Sequence, residues 1–389
     1  MSTSSARPGD AATLATSTFA TAGRIVVGTG AAARVPELVA ALGNRVLVVA
    51  GRSADVGALP GATVHRHRGE PDVAAVRVAV AVAREVRPDV VVGWGGGSVL
   101  DLAKCVAVLA PGATDVLDHL EVVGRGLPLP AGALPVVAVP TTAGTGAEVT
   151  ANAPVRVPER GVKVSLRGRA MQPAVAVVDP LLTLGCPPDL TAASGADALT
   201  QCLEAFTTPH ATPLTDPPAR DGLVRAGRSL LRAVEQGDDL AARTDLSIAA
   251  LLSGMALANA RLGAVHGLAA ALGGRLGAPH GQVCAAVLAA TTAANVAALR
   301  RTDPDGPGLA RYDDAAVALT GRPGARADDA VAWLTDLVAA LRVPGLGALG
   351  LAVDDVDAVV ADALAASSTR GNPVVLTSDE LAGVVAASW

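Results

Sequence analysis

The chain has 389 residues, long for a single core, so two domains are expected. Hydrophobic residues make up 51% and charged residues 17%, a balance that excludes a disordered polymer. A formal net charge of -5, with only two Phe, three Trp and one Tyr, provides neither the basic surface that phosphate backbones need nor rings on which bases stack, so no nucleic-acid partner is expected.

In chain order, residues 1–20 are rich in Ser, Thr and Ala without an apolar h-region, and read as a flexible leader rather than a secretory signal. Short β-branched runs follow at "RIVVG" (24–28), "RVLVVA" (45–50), "DVVVGWG" (89–95), "PVVAVP" (135–140) and "AVAVVD" (174–179), separated by segments of helical spacing such as 71–86. Continuous rather than alternating apolar strands predict a parallel sheet covered on both faces, an α/β doubly wound domain. Beyond 179–188 the texture becomes Ala/Leu-rich and helical, which places a boundary near residue 184: a Rossmann-like α/β domain over 1–183 and an all-helical domain over 184–389. Glycine, proline or charge is read as breaking each apolar run before about 18 residues, so no membrane span is expected. Four scattered cysteines with no CxxC pair read as reduced thiols of a cytoplasmic protein.

Two loops follow strands where open α/β sheets bind ligands. "GWGGGSVLDLAK" (93–104) opens a helix, and Gly95, Gly96 and Gly97 let a phosphate approach the first amides, with Ser98 as N-cap or further donor. "PTTAGTGAEVT" (140–150) offers the hydroxyls of Thr141, Thr142 and Thr145. The GxGxxA match "GTGAAA" (28–33) has no acid at the distance a dinucleotide site requires and reads as a turn.

In the second half, Asp197 and Gln201 stand four residues apart on one helix face, and His266 and His280 flank a Gly/Pro break. Two histidines and a carboxylate suit an open site for zinc or ferrous iron. Ser194-x-x-Asp197 equally fits a capping box, which would account for Asp197 without metal.

The segments "GGGSVLDLAK", "VPTTAGTGAEVT", "VAVVDPLLT", "DALTQCLEAF" and "VHGLAAALGGRLGAPHG", in this order, resemble the iron-containing alcohol dehydrogenase family, which includes glycerol dehydrogenases and maleylacetate reductases. The resemblance implies the same two-domain fold, a nicotinamide cofactor and one divalent metal, Fe2+ or Zn2+, held by an Asp, a His four residues on and two further His 14 apart. Asp197, His266 and His280 match. Gln201 stands where the second ligand is usually His and offers an amide oxygen instead, while glycerol dehydrogenase relatives manage with one Asp and two His. Asp197 argues against the metal-free maleylacetate reductase branch. Ala270 replaces a His that many members use in proton transfer, leaving solvent or a relay through the cofactor ribose. Where NAD-preferring members carry an Asp after the second strand, this chain has Gly51, Arg52 and Ser53, which favours NADPH over NADH. Asp101 and the threonine loop are expected to place the cofactor, and Lys163 matches a family lysine beside it. The implied activity is reversible hydride transfer between nicotinamide and a small alcohol or aldehyde by a homodimer or larger assembly. The alternatives are a dehydroquinate-synthase-type cyclase or lyase and a catalytically lapsed nucleotide-binding protein. A C-terminal "SSTRGNP" resembles a tail found in one branch of the family, and Thr377 or Ser378 is expected to cap the last helix.

Overall fold

The computed structural model describes residues 16–389 other than Ser53. Of the leader expected over 1–20, residues 1–15 lie outside the described part, whereas Ala20 is tied down. Its N–H donates to Asn259 Oδ1 at 2.6 Å, and its carbonyl accepts from Asn259 Nδ2 at 2.8 Å.

The first half forms a six-stranded, all-parallel sheet of β1 (Arg24–Val27), β2 (Val46–Ala50), β3 (Thr63–Arg66), β4 (Val90–Gly95), β5 (Val136–Pro140) and β8 (Val175–Val178), in the order β1-β8-β5-β4-β2-β3. β4 and β5 are buried along their whole length, as the unbroken valine runs require when helices cover both faces. These helices are α1 (Val35–Ala40), α2 (Val73–Val86), α3 (Gly97–Leu109) and the short α4 (Val116–His119). The chain leaves β2 toward the edge strand β3 and returns to the other side as β4, so the strand order reverses between β2 and β4. Open sheets bind ligands at the carboxyl ends of strands at such a reversal.

β3 was not foreseen: "TVHR" is polar and mostly exposed at the sheet edge, so it carries no apolar run. Also unforeseen is the antiparallel ribbon of β6 (Asn152–Val157) and β7 (Val162–Arg167), which follows the threonine loop.

The second half consists of α5 (Pro188–Thr207), α6 (Asp216–Glu235), α7 (Leu240–Asn259), α8 (Ala264–Leu276), α9 (His280–Thr302), α10 (Pro307–Thr320), α11 (Ala327–Ala340), α12 (Val356–Ala365) and α13 (Ser378–Ala387). α5 is the hub, packed against α6, α7 and α9. Small residues allow the close approach: a Cβ on Gly222 would stand 2.3 Å from Cys202 Sγ. α13 starts in a capping box of Thr377 and Glu380, so Thr377 is the cap and Ser378 the first helical residue.

The apolar run of α9 is longer than the sequence reading allowed, whereas Arg243, Asp245 and Gly254 interrupt α7. By length and composition both α7 and α9 are long and apolar enough to span a bilayer, and more than half of each such window is buried inside the protein. In α9 no charge interrupts the helix before Arg300, and Thr291, Thr292 and Asn295 are buried among its apolar neighbours.

Candidate active site

The loops after β2, β4 and β5 converge at the reversal of the sheet. The Gly51 N–H donates to the Trp94 carbonyl at 2.9 Å, and the Thr141 N–H donates to the Gly95 carbonyl at 3.0 Å. α3 begins immediately beyond, with Gly96 as its N-cap and no side chain satisfying its first amides. Ser98 is therefore the second residue of the helix, not its cap. The loops fit only without side chains at the glycines: a Cβ on Gly97 would stand 2.5 Å from Thr145 Oγ1, and one on Gly96 would stand 3.3 Å from Thr142. A helix N-terminus framed by glycines and threonine hydroxyls is a ready anion site.

By contrast, the "GTGAAA" turn is already filled from within. The Gly30 and Ala32 amides both donate to the Asp179 carboxylate at 3.0 Å, so the chain's own carboxylate takes the place of an anion.

The β2 loop is basic. Arg52 is exposed, and Arg66, at the end of β3, donates to the Gly51 carbonyl at 2.7 Å and to the Arg52 carbonyl at 3.2 Å. Ser53 lies outside the described residues. Asp101 sits in the first turns of α3 and pairs with the buried Lys104 at 3.0 Å; burial raises its carboxyl, while Lys104 and Lys163 oppose that rise. Lys104 is fully engaged, donating to the carbonyls of Ala147 and Asn152 and to Thr150 Oγ1, and so pins the threonine loop to α3. Lys163, on β7, pairs with Glu70 at 2.7 Å.

The threonine loop carries this geometry to the helices. Gly146 adopts φ 61, and its backbone lies so close to Gly254 of α7 that a Cβ would stand 2.4 Å from the Gly254 Cα. Next to Gly254, Ser253 Oγ lies 2.7 Å from Gln201 Oε1. Gln201 in turn borders Asp197, one turn earlier on α5.

α5 starts at Pro187–Pro188, two turns before Asp197, and Ser194 Oγ donates back to the Leu190 carbonyl at 2.7 Å. The capping-box reading of Ser194 and Asp197 is thereby overturned: Asp197 is a buried, mid-helix carboxylate. Its Oδ1 lies 3.4 Å from His266 Nε2, on α8, and 3.8 Å from His280 Nε2, the first residue of α9. Burial alone would raise the Asp197 carboxyl, but His266, His280 and Gln201 around it bring it below its ordinary value. The His280 side chain is 35% exposed, so the cluster opens to solvent on that side. Ala270, one turn beyond His266, is exposed.

Asp197 Oδ1 and His266 Nε2 are both buried without a hydrogen-bond partner. Each buried polar atom left without a partner costs about 1–3 kcal/mol. A divalent cation between them would remove both penalties, so these residues fit the metal that the resemblance implies.

Two contributors escaped the sequence reading. Glu204, on α5 and in line with Asp197 and Gln201, accepts from His266 Nδ1 at 2.6 Å and from the Val265 N–H at 2.7 Å. It thereby fixes the tautomer that leaves Nε2 free for a metal. The i, i+4, i+7 row of Asp197, Gln201 and Glu204 along one face of α5 was the available signal. The second is Cys284, one turn after His280: its thiol lies 3.5 Å from His280 Nε2 and completes a group of four possible ligands, all within 4.8 Å of one another. The tail supports this region, since Asn372 Oδ1 accepts from the Ala264 N–H at 3.0 Å, at the start of α8.

Comparison with known proteins identifies the family. The iron-containing alcohol dehydrogenase profile matches residues 22–180, and the profile of the Fe-containing alcohol dehydrogenase family, C-terminal, matches 191–389. Alcohol dehydrogenase 4 of Schizosaccharomyces pombe is 36% identical over 326 residues, covering 83% of this chain and 74% of its own. A crystal structure of a 1,3-propanediol oxidoreductase superposes with a TM-score of 0.86 at 31% identity, covering 96% of this chain and 100% of the other. The sulfoacetaldehyde reductase from Bifidobacterium kashiwanohense, solved in complex with NAD+, gives a TM-score of 0.86 at 26% identity over 96% of this chain and 98% of its own. The chain belongs to the iron-containing alcohol dehydrogenase family, and is thus an oxidoreductase acting on alcohols with a nicotinamide cofactor and a divalent metal.

Proposed function

We propose that the chain interconverts a small alcohol and its aldehyde by hydride exchange with NADPH in preference to NADH, at a metal held by Asp197, His266 and His280. The facing orphan atoms Asp197 Oδ1 and His266 Nε2, next to the loops at the sheet reversal, carry this reading. When bound, the nicotinamide supplies or accepts the hydride, and Fe2+ or Zn2+ acts as the Lewis acid that polarises the carbonyl.

The residues divide the remaining work. The α3 N-terminus at Gly95, Gly96, Gly97 and Ser98 receives the pyrophosphate, while Thr141, Thr142 and Thr145 line the approach. Asp101 and Lys163 border the cofactor. Gly51 and Arg52 face the adenosine ribose, and the guanidiniums of Arg52 and Arg66 favour a 2′-phosphate there. Glu204 orients His266. With Ala270 in place of a histidine, the alcohol proton exchanges with solvent, directly or through the cofactor ribose; the exposure of Ala270 and the partial exposure of His280 favour that route. Residues 1–183 then form the nucleotide unit and 184–389 the metal and substrate unit of a cytoplasmic homodimer or larger assembly, in which the cysteines, free among the described residues, stay reduced.

The test follows oxidation of NADPH and NADH with a panel of short-chain aldehydes, before and after a chelator. The reading expects turnover with both cofactors, faster at low concentration with NADPH, lost to the chelator and restored by Fe2+ or Zn2+. Chelator-resistant turnover would contradict it.

A further inference from the structure

The donor set of this chain is unusual at one position. Gln201 stands where a fourth nitrogen is expected, but its amide is committed elsewhere. Ser253 Oγ donates to its Oε1 at 2.7 Å, so the oxygen that could ligate is already engaged.

A different group reaches the centre. Cys284 follows His280 by four residues on α9, so both side chains leave the same helix face. It is fully buried, and its Sγ lies 3.5 Å from His280 Nε2. A tetrahedral ion with bonds of about 2.0–2.1 Å to nitrogen and oxygen and about 2.3 Å to sulfur sets N···O edges of roughly 3.3 Å and N···S edges of roughly 3.6 Å. The observed edges are 3.4 and 3.8 Å for Asp197 to the two histidines, and 3.5 Å for His280 to Cys284.

Resting on the metal reading above, we propose that Cys284 Sγ is a ligand of the same ion, so that this chain builds an Asp197–His266–His280–Cys284 centre in which the sulfur takes the role Gln201 does not fill. Of the two ions considered, a thiolate shifts the preference of the set from Fe2+ toward Zn2+. The partly exposed side of His280 would remain the side from which a substrate reaches the centre.

Cobalt substitution tests the sulfur and the metal separately. Purified full-length protein is loaded with Co2+, and absorption spectra are compared for wild type, Cys284→Ser, Cys284→Ala and, as a control, Cys202→Ser. Wild type and Cys202→Ser should show visible ligand-field bands and a near-ultraviolet thiolate-to-cobalt charge-transfer band. The two Cys284 variants should keep the visible bands, lose the charge-transfer band and bind Zn2+ more weakly than wild type, by more than the roughly 10- to 100-fold that loss of an outer-shell partner costs. Visible bands without charge transfer in wild type, or charge transfer surviving Cys284→Ala, would overturn the cysteine ligand and leave the three-residue metal reading standing. No visible bands in any protein would remove both.

Discussion

Glu204 is the residue on which the orientation of the metal centre turns, and Glu204→Gln is the sharpest single perturbation of it. The carboxylate accepts two hydrogen bonds, from His266 Nδ1 at 2.6 Å and from the Val265 N–H at 2.7 Å. An amide of the same shape has one acceptor oxygen, so its NH2 must face one of those two donors. If it faces the imidazole, His266 relieves the conflict by moving its proton to Nε2, the atom that points at Asp197 Oδ1 3.4 Å away. The lost charge-assisted bond is worth about 1.5–3 kcal/mol, in line with the roughly 10- to 100-fold that removing a carboxylate behind a metal-bound histidine costs in affinity. Gly263 makes the contact possible, because a Cβ there would stand 2.9 Å from Glu204 Oε1 and 2.8 Å from Asn372 Oδ1. Gly263→Ala should thus weaken the centre from the opposite side. The assay is Zn2+ affinity by competition with a chromophoric chelator, with circular dichroism confirming that each variant is folded. A folded Glu204→Gln protein with affinity within about twofold of wild type would refute the positioning role.

Three further outcomes follow from other parts of the structure. Burial pushes the Glu148 carboxyl up to about 7 from 4.5, so folding takes up a proton between those values, and stability falls as pH rises through that window; Glu148→Gln should remove that slope, gaining up to about 3 kcal/mol on wild type at pH 8 in denaturant titrations, and parallel pH profiles would contradict it. Arg52→Asp should shift the ratio of kcat/KM for NADPH over NADH toward NADH by about 10- to 100-fold, the worth of one charged contact to a phosphate; an unchanged ratio would take Arg52 out of the ribose site. Gly97→Ala places a methyl 2.5 Å from Thr145 Oγ1 and should raise KM for the cofactor at least about tenfold with metal content unchanged, whereas loss of metal would show that the two sites are not separable in this way.

Most of the sheet was legible because β2, β4, β5 and β8 are buried on both faces and must therefore be runs of valine and alanine. β3 and the β6–β7 ribbon were not legible. β3 is a mostly exposed edge strand, so "TVHR" carries no apolar signature, whereas β6 buries Ala153, Val155 and Val157 on one face in a short alternation interrupted by Pro154. The start of α5 stayed open between a cap at Ser194 and an earlier start: a proline in its first turn opens the helix, and nothing in "SGADAL" distinguishes a cap from a buried turn. Asp197, His266 and His280 were visible by type and spacing. Of their supporting residues, Glu204 was signalled only by its place in the Asp197–Gln201–Glu204 row, and Cys284 looks like an ordinary helix residue until α9 sets it beside His280. The apolar run of α9 was underestimated because alanine-rich helices hide their length, and its buried hydroxyls at Thr291 and Thr292 resemble surface residues in a sequence.

The central claim is a metal held by Asp197 between two histidines, and its most direct test is the metal content of purified protein expressed with iron and zinc supplied, measured by elemental analysis beside Asp197→Ala. The account predicts close to one ion per chain in the wild type and near none in the variant, with both folded. A wild type without metal, or an Asp197→Ala protein that keeps it, would contradict the account.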